Sequence, residues 1–444
     1  MTARDSDTAI SPDLRNPDLR DKVDALTGLR FFAAASILVS HTSAWTAPFT
    51  SSNPVSVAAN LAGIYGMPLF FVLSGFVIHY NYARLFRERS WRSATAEFFI
   101  ARFARLYPLY LFCFVVGMIS DFTVNWLQGY VADLIKLTVT SLTLTQSWFY
   151  IIVVNHKILL ENAFGLGWSV STEWFFYCAY VVFVFAVFRL TKPGATILAI
   201  AGFSVLAFLV LGVADRHADR IIALAREYVT DDSALTSGNY GFYRWLFYYS
   251  PYVRILEFVL GCLTAQLYMQ LTGKPVGAVE HKCGTVALWS ALVALLLIGV
   301  FHITNSPSAL LNHYIRFYGL NFGCAVPIAT LIFCISRYES VVRRLLSTKP
   351  LLGLGEISYS IYAVHTWTLR AFLRPAVDFN LATGLEALIR IPLAMIFSII
   401  MATATYRLIE MPCRRYLRDR LSGHLQAWRE RQQRQHALVD APAG

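Results

Sequence analysis

The 444-residue chain is 56% hydrophobic and only 15% charged, with a mean hydropathy of +0.51. Repeated apolar runs of roughly 20 residues exclude a soluble globular class and point to an all-α polytopic membrane protein. The formal charge of +11 would suit nucleic acid, but Arg and Lys cluster in short loops beside apolar runs, as topology determinants do.

Residues 1–24 are polar, contain Pro12 and Pro17, and read as a flexible cytosolic tail. The first apolar run, within residues 26–43, begins at Arg30 and holds His41 deep inside it. Eleven positions at 100° each bring the two side chains to one helix face, about 16 Å apart along the axis. With Arg30 at one boundary of a core about 30 Å thick, His41 stands near the bilayer centre. An ionisable group at that depth is a functional candidate, and a hydrogen-bonded packing histidine is the alternative. The basic flank and trailing small residues also fit a signal peptide, a reading that would discard this Arg–His pair.

Ten spans are expected, at 29–47, 61–81, 103–120, 168–189, 195–213, 251–271, 286–304, 317–336, 356–374 and 388–408. The loop after the second carries Arg84, Arg87, Arg89, Arg92, Arg102 and Arg105, and later even-numbered loops are basic as well. With ten crossings, these loops and both termini fall on the cytoplasmic side. The long opposite-side loop 214–250 offsets Arg216, Arg220, Arg226 and Arg244 with five carboxylates. Residues 131–154 are apolar enough to enter the bilayer, yet one more crossing would invert every later loop. A re-entrant or interfacial helix on the outer side fits that parity. The seven cysteines show no CxxC or metal-like spacing and read as reduced packing residues.

Depth brings other polar residues towards His41. His365, in ISYSIYAVHTW, lies about 12 Å above the inner boundary, and Glu173, in GWSVSTEWFFY, about 7 Å below the outer one. Two imidazoles and a carboxylate at similar depths on separate helices suit a midplane polar site. Arg102 and Arg105 share a helix face where the third span leaves the cytosol, level with Arg30. Guanidinium groups there suit a soluble phosphorylated ligand or anionic lipid. Arg254 and Glu257 are spaced for an i, i+3 ion pair. Ser74 and Gly75, in FFVLSGF, suit close helix packing, and Ser74 as a nucleophile would need an adjacent base.

These residues resemble the acyltransferase family 3 integral membrane proteins, which acylate sugars and other acceptors of the bacterial envelope. The likeness runs over about residues 24–415. Arg30-x10-His41 is similar to the first-helix signature, FFVLSGF to the second-helix motif, and Arg102-x-x-Arg105 to RxxR. WSVSTEWFFY, beginning at Trp168, resembles WSLSVEEQFY; EFVLG, beginning at Glu257, resembles EFxxG. ISYSIYAVH, with Tyr359 and His365, resembles SYSxYxxH, and IEMP at 409–412 resembles IExP. Two departures stand out. Trp174 occupies the place of a second Glu, and no SGNH esterase-like domain follows, which implies a one-module enzyme.

The resemblance implies a membrane acyltransferase domain over 25–415, followed by a basic tail at 416–444. It implies transfer of an acyl group, acetyl above all, from cytosolic acyl-CoA to a hydroxyl of an envelope or exported saccharide in the bacterial inner membrane. Arg30, Arg102 and Arg105 would then hold the CoA phosphates, with no permanently bound cofactor and no metal. His41 would act as base or transient acyl carrier, in the uncharged form that apolar surroundings favour. Glu173 would orient that imidazole or bind sugar from the outer side. His365, Ser74, Trp168, Tyr359, Arg254 and Glu257 are expected to line the site. A transporter or flippase of a lipid-linked saccharide also fits ten spans with midplane charges, although no inverted repeat is visible. A non-catalytic scaffold would leave the buried His–Glu group without purpose.

Overall fold

The computed structural model describes residues 17–46, 54–127, 131–153, 157–158, 165–228, 241–304, 308–373 and 383–423. The tail before residue 17 and most of the basic tail lie outside the described residues. All ten expected spans coincide with helices. They are α1 (Pro17–Thr46), α2 (Pro54–Glu88), α3 (Trp91–Leu127), α5 (Gly167–Phe188), α6 (Pro193–Arg216), α9 (Pro251–Leu271), α10 (Ala278–Ile303), the pair α11 (Ala309–Leu320) and α12 (Ala325–Arg337), α15 (Ser358–Leu373) and α16 (Thr383–Thr405).

Among the described residues, eight helices are long and apolar enough to cross a membrane. A ninth crossing is made if α11 and α12, bent by 42° at a short break, count as one span. Phe322 sits in that break with φ +65°, a conformation that ends an α-helix outright. The remaining expected span, α15, has 16 residues. At 1.5 Å each it reaches about 24 Å, short of the hydrocarbon thickness.

Residues 131–154 supply α4 (Val131–Leu142), whose 12 residues are too short to cross. Its end packs on α3, where Tyr107 and Tyr110 donate to the Leu142 and Ser141 carbonyls at 3.1 and 3.0 Å. The chain then turns through Leu144, at φ +57°, and returns past a two-strand hairpin, Ile152–Val153 with Lys157–Ile158, towards α5. Short pieces complete the chain order: α7 (Ala218–Arg226), α8 (Phe242–Arg244) running into a π-turn at Trp245–Tyr249, α13 (Val341–Leu346) and α14 (Lys349–Glu356). A second π-turn, Tyr406–Glu410, follows α16.

The helices pack by small residues and aromatic rings. Gly75 of α2 and Gly261 of α9 face each other so closely that a Cβ on either would lie 2.0 Å from the Phe258 carbonyl oxygen or 2.1 Å from that of Val72. The Cys262 thiol donates to the Gly75 carbonyl at 3.3 Å, so the contact is backbone on backbone. Gly28 and Gly355 do the same for α1 against α13 and α14. The peripheral helices α6 and α10 bury only 17% of their apolar windows, with Leu198 at 74% exposure. Such faces are at rest only against lipid.

Replacing Gly261 with Val should push α2 and α9 apart and cost at least about 1–3 kcal/mol. Thermal unfolding of the detergent-purified protein should show a clear loss of stability for Gly261→Val and none for Gly194→Ala, where a Cβ meets open space.

Candidate functional site

Two cavities lie one above the other in the helical bundle. The inner one, about 80 Å³, is lined by Arg30 of α1, Ser74 of α2, Arg102 and Arg105 of α3, Glu173 of α5 and Tyr359 of α15. Placing Arg102 and Arg105 three residues apart turns both towards it. The Arg102 guanidinium donates to the Tyr82 hydroxyl at 2.5 Å and lies 4.7 Å over that ring. The Glu173 carboxylate accepts from Ser74 Oγ at 3.0 Å and from the Tyr177 hydroxyl at 2.5 Å. Glu410, which accepts from Ser360 Oγ at 2.6 Å, lies within electrostatic reach of Arg30 and Arg105. Three arginines thus face two carboxylates, and the excess positive charge suits an anion.

The outer cavity, about 390 Å³, is lined by His41 and by Trp168, Tyr248 and Tyr249, together with Arg244 and His302. Met67 and Tyr362 line both cavities and form the septum between them. The Tyr362 hydroxyl is tied to Ser169 Oγ at 2.7 Å, and the Phe70 ring packs edge-on against it, 5.8 Å between centroids.

His41 is held by a directional chain of hydrogen bonds. Its Nδ1 lies 2.8 Å from Nε2 of His365, with the rings stacked at 27°. Nδ1 of His365 lies 2.7 Å from the Tyr362 carbonyl oxygen. A carbonyl only accepts, so Nδ1 of a neutral His365 carries the proton and its Nε2 is the acceptor. His41 must then donate from Nδ1, which leaves the lone pair on its Nε2. No described residue takes up that nitrogen. An imidazole with its basic nitrogen free at a cavity wall can abstract a proton or accept an acyl group.

The structure therefore separates residues that depth alone had grouped. His41 and Trp168 are in the outer cavity, and fully buried His365 stands behind His41 as its partner. Glu173, expected beside the imidazole, lies with the arginines, because Ser74 and Tyr177 draw its carboxylate inward. Tyr359 lines the inner cavity and donates to the Leu106 carbonyl at 2.9 Å. Arg254 and Glu257 line neither cavity, which corrects their expected place in the site. They form the anticipated ion pair at 2.9 Å, each side chain 1% exposed. The reason is local: Pro251, at the start of α9, has no N–H and breaks the helix, so Arg254 Nε supplies the donor to the Tyr248 carbonyl, at 2.8 Å. Trp174 packs among Phe99, Phe103 and Tyr177 and lines neither cavity.

Sequence reasoning missed Arg244 and His302. Arg244 passed as one of the balanced charges of loop 214–250, and the aromatic run WLFYY directly after it was the available signal.

The chain matches the acyltransferase domain family over residues 23–407. It is similar to acyltransferase MdmB of Streptomyces mycarofaciens, 25% identical over 366 residues that cover 79% of each chain. It is also similar to peptidoglycan O-acetyltransferase OatA of Listeria monocytogenes, 24% identical over 89% of this chain and 56% of that one. O-acetyltransferase OatA of Staphylococcus aureus is 22% identical over 88% of this chain and 57% of its own length. The chain thus spans little more than half the length of the OatA proteins. No solved structure matches it. With the match running unbroken through both cavities, the chain belongs to acyltransferase family 3.

Proposed function

We propose that this protein transfers an acyl group, acetyl in the first instance, from cytosolic acyl-CoA to a hydroxyl of an envelope or exported saccharide. The observation that carries the reading is the His41–His365–Tyr362 hydrogen-bond chain, with His41 lining a cavity that adjoins a second one lined by arginines. The relatives named for O-acetyl transfer, and for peptidoglycan in one case, favour an O-acetyl product and a saccharide acceptor. In this reading the protein sits in the bacterial inner membrane, and the expected ten crossings would put both termini in the cytoplasm.

In this scheme Arg30, Arg102 and Arg105 hold the CoA phosphates, and the pantetheine arm passes the Met67–Tyr362 septum to bring the thioester to His41. His41 Nε2 takes the proton of the acceptor hydroxyl as its oxygen attacks the thioester carbonyl. The C–S bond breaks, and the imidazolium returns the proton to the departing CoA thiolate. The same nitrogen can instead attack the thioester carbonyl, the C–S bond breaking to release CoA thiolate. The acceptor oxygen then takes the acyl group as the acyl–Nε2 bond breaks, and its proton passes to the freed imidazole. His365 keeps His41 in the reactive tautomer. Glu173 acts from below, offsetting part of the arginine charge and fixing Ser74 and Tyr177.

Proteoliposomes given labelled acetyl-CoA and envelope polymer test the reaction itself. Label left wholly on CoA would support the transporter alternative. His41→Ala should lower transfer by about 10²–10⁴-fold, the range for losing a general base. His365→Phe, which cannot accept the Nδ1 proton, should lower it about 10²-fold in a protein that still folds. Full transfer in His41→Ala would remove the imidazole from the chemistry. Arg105→Ala should weaken acetyl-CoA binding roughly ten- to a hundredfold, the loss of one charge-assisted hydrogen bond, and unchanged affinity measured by calorimetry would defeat the CoA cradle. Met67→Trp, by filling the septum, should block transfer while leaving acetyl-CoA affinity in place.

A further inference from the structure

The outer cavity holds two polar groups that the acyl-transfer scheme does not use. Arg244 ends α8, and its guanidinium lies over the Tyr248 ring, 4.1 Å from the centroid. Its Nε is buried and meets no hydrogen-bond partner among the described residues. His302, near the end of α10, has a buried Nδ1 in the same condition. Both line the cavity that holds His41, and none of the described residues lining it is acidic. Asp215, bonded to the neighbouring Tyr243, is engaged by two partners. It accepts from the Tyr243 hydroxyl at 2.5 Å, and its other oxygen lies 2.7 Å from His313 Nε2. Arg244 itself lies within electrostatic reach of His302, so the two groups share one wall.

A guanidinium with an idle buried donor is costly to keep, since each such group forfeits hydration without return. A ligand oxyanion would satisfy it, and arginine is the side chain best shaped for carboxylate and phosphate. Arg244 and Arg254 both stack on the Tyr248 ring, 4.1 and 4.5 Å from its centroid, so the flanking rings of Trp168 and Tyr249 are left as the apolar walls for a sugar ring beside such a polar anchor.

We propose that Arg244 and His302 form an oxyanion site for the acceptor, so that the favoured acceptor is a saccharide bearing a carboxylate or a phosphate near the hydroxyl to be acylated. This rests on the reading that the acceptor occupies the outer cavity. Both anions share the same recognition chemistry, and the experiment separates them.

The test is the rate at which phenylglyoxal modifies Arg244 in the purified full-length protein, read by peptide mass spectrometry at constant ionic strength. Methyl glucuronide supplies the carboxylate, glucose 1-phosphate the phosphate, and methyl glucoside the neutral control. An anionic sugar at ten times its dissociation constant should slow modification of Arg244 about tenfold. Exposed Arg220 should react at the same rate throughout. Slowing by glucuronide alone, by the phosphate alone, or by both assigns the anion, and His302→Phe should weaken the protection. Absence of protection by either anion, or equal protection by methyl glucoside, overturns the proposal. Repeating the measurement in His41→Ala keeps the two readings apart. Protection together with undiminished transfer in that variant would sink the catalytic role of His41 alone, whereas lost transfer without protection would sink the oxyanion site alone.

Discussion

The crossing of α2 over α9 at Gly75 and Gly261 sets the geometry of both cavities. Two backbones touch there, and no side chain can be interposed without moving one of them. The contact has consequences on either side. On α2 the preceding residue, Ser74, is directed at Glu173 and so fixes the floor of the arginine layer. On α9 the same crossing fixes the helix whose first turns carry Arg254 and Glu257, and Arg254 grips the π-turn that presents Tyr248 and Tyr249 to the outer cavity.

Above that crossing, polarity is arranged in tiers. The lower tier holds three arginines with partial compensation, the middle is the Met67–Tyr362 septum, and the upper combines the His41 imidazole with Arg244 and His302. Direction in the middle comes from a backbone carbonyl. Because the oxygen of Tyr362 can only accept, proton positions on two neutral imidazoles follow from it in sequence, ending at Nε2 of His41. A buried ion pair could hold His41 as firmly, but it would favour the protonated ring and silence the base.

Much of this was readable from the chain alone. Apolar run lengths located each candidate span among the described residues and one helix, α15, too short to cross, because lipid imposes a length that a run either meets or misses. The eleven-residue interval from Arg30 to His41 and the three-residue interval from Arg102 to Arg105 placed those side chains by helical period, and the structure sets the three arginines on one cavity. The i, i+3 spacing likewise revealed Arg254 and Glu257 as an ion pair. Depth along an axis, however, says nothing of azimuth between helices. His365 and Glu173 were both expected near His41, and only the packing of α1 against α15 decided between them. Arg244 and His302 were hidden for another reason. Each lies near a helix end, where a charged or titratable residue ordinarily meets water, and the π-turn that folds Arg244 inward has no periodic signature.

The septum has a consequence for the cell's energy supply. Two water-filled recesses that joined freely across a bilayer would let protons run down the gradient that drives ATP synthesis. Here, among the described residues, they adjoin through a thioether and a phenol whose hydroxyl is already bonded to Ser169, with a phenyl ring behind. A slim thioester arm can displace a flexible methionine, while a chain of waters finds no continuous set of partners there. An acyl group carried along the proposed route would therefore cross an energised membrane without discharging it.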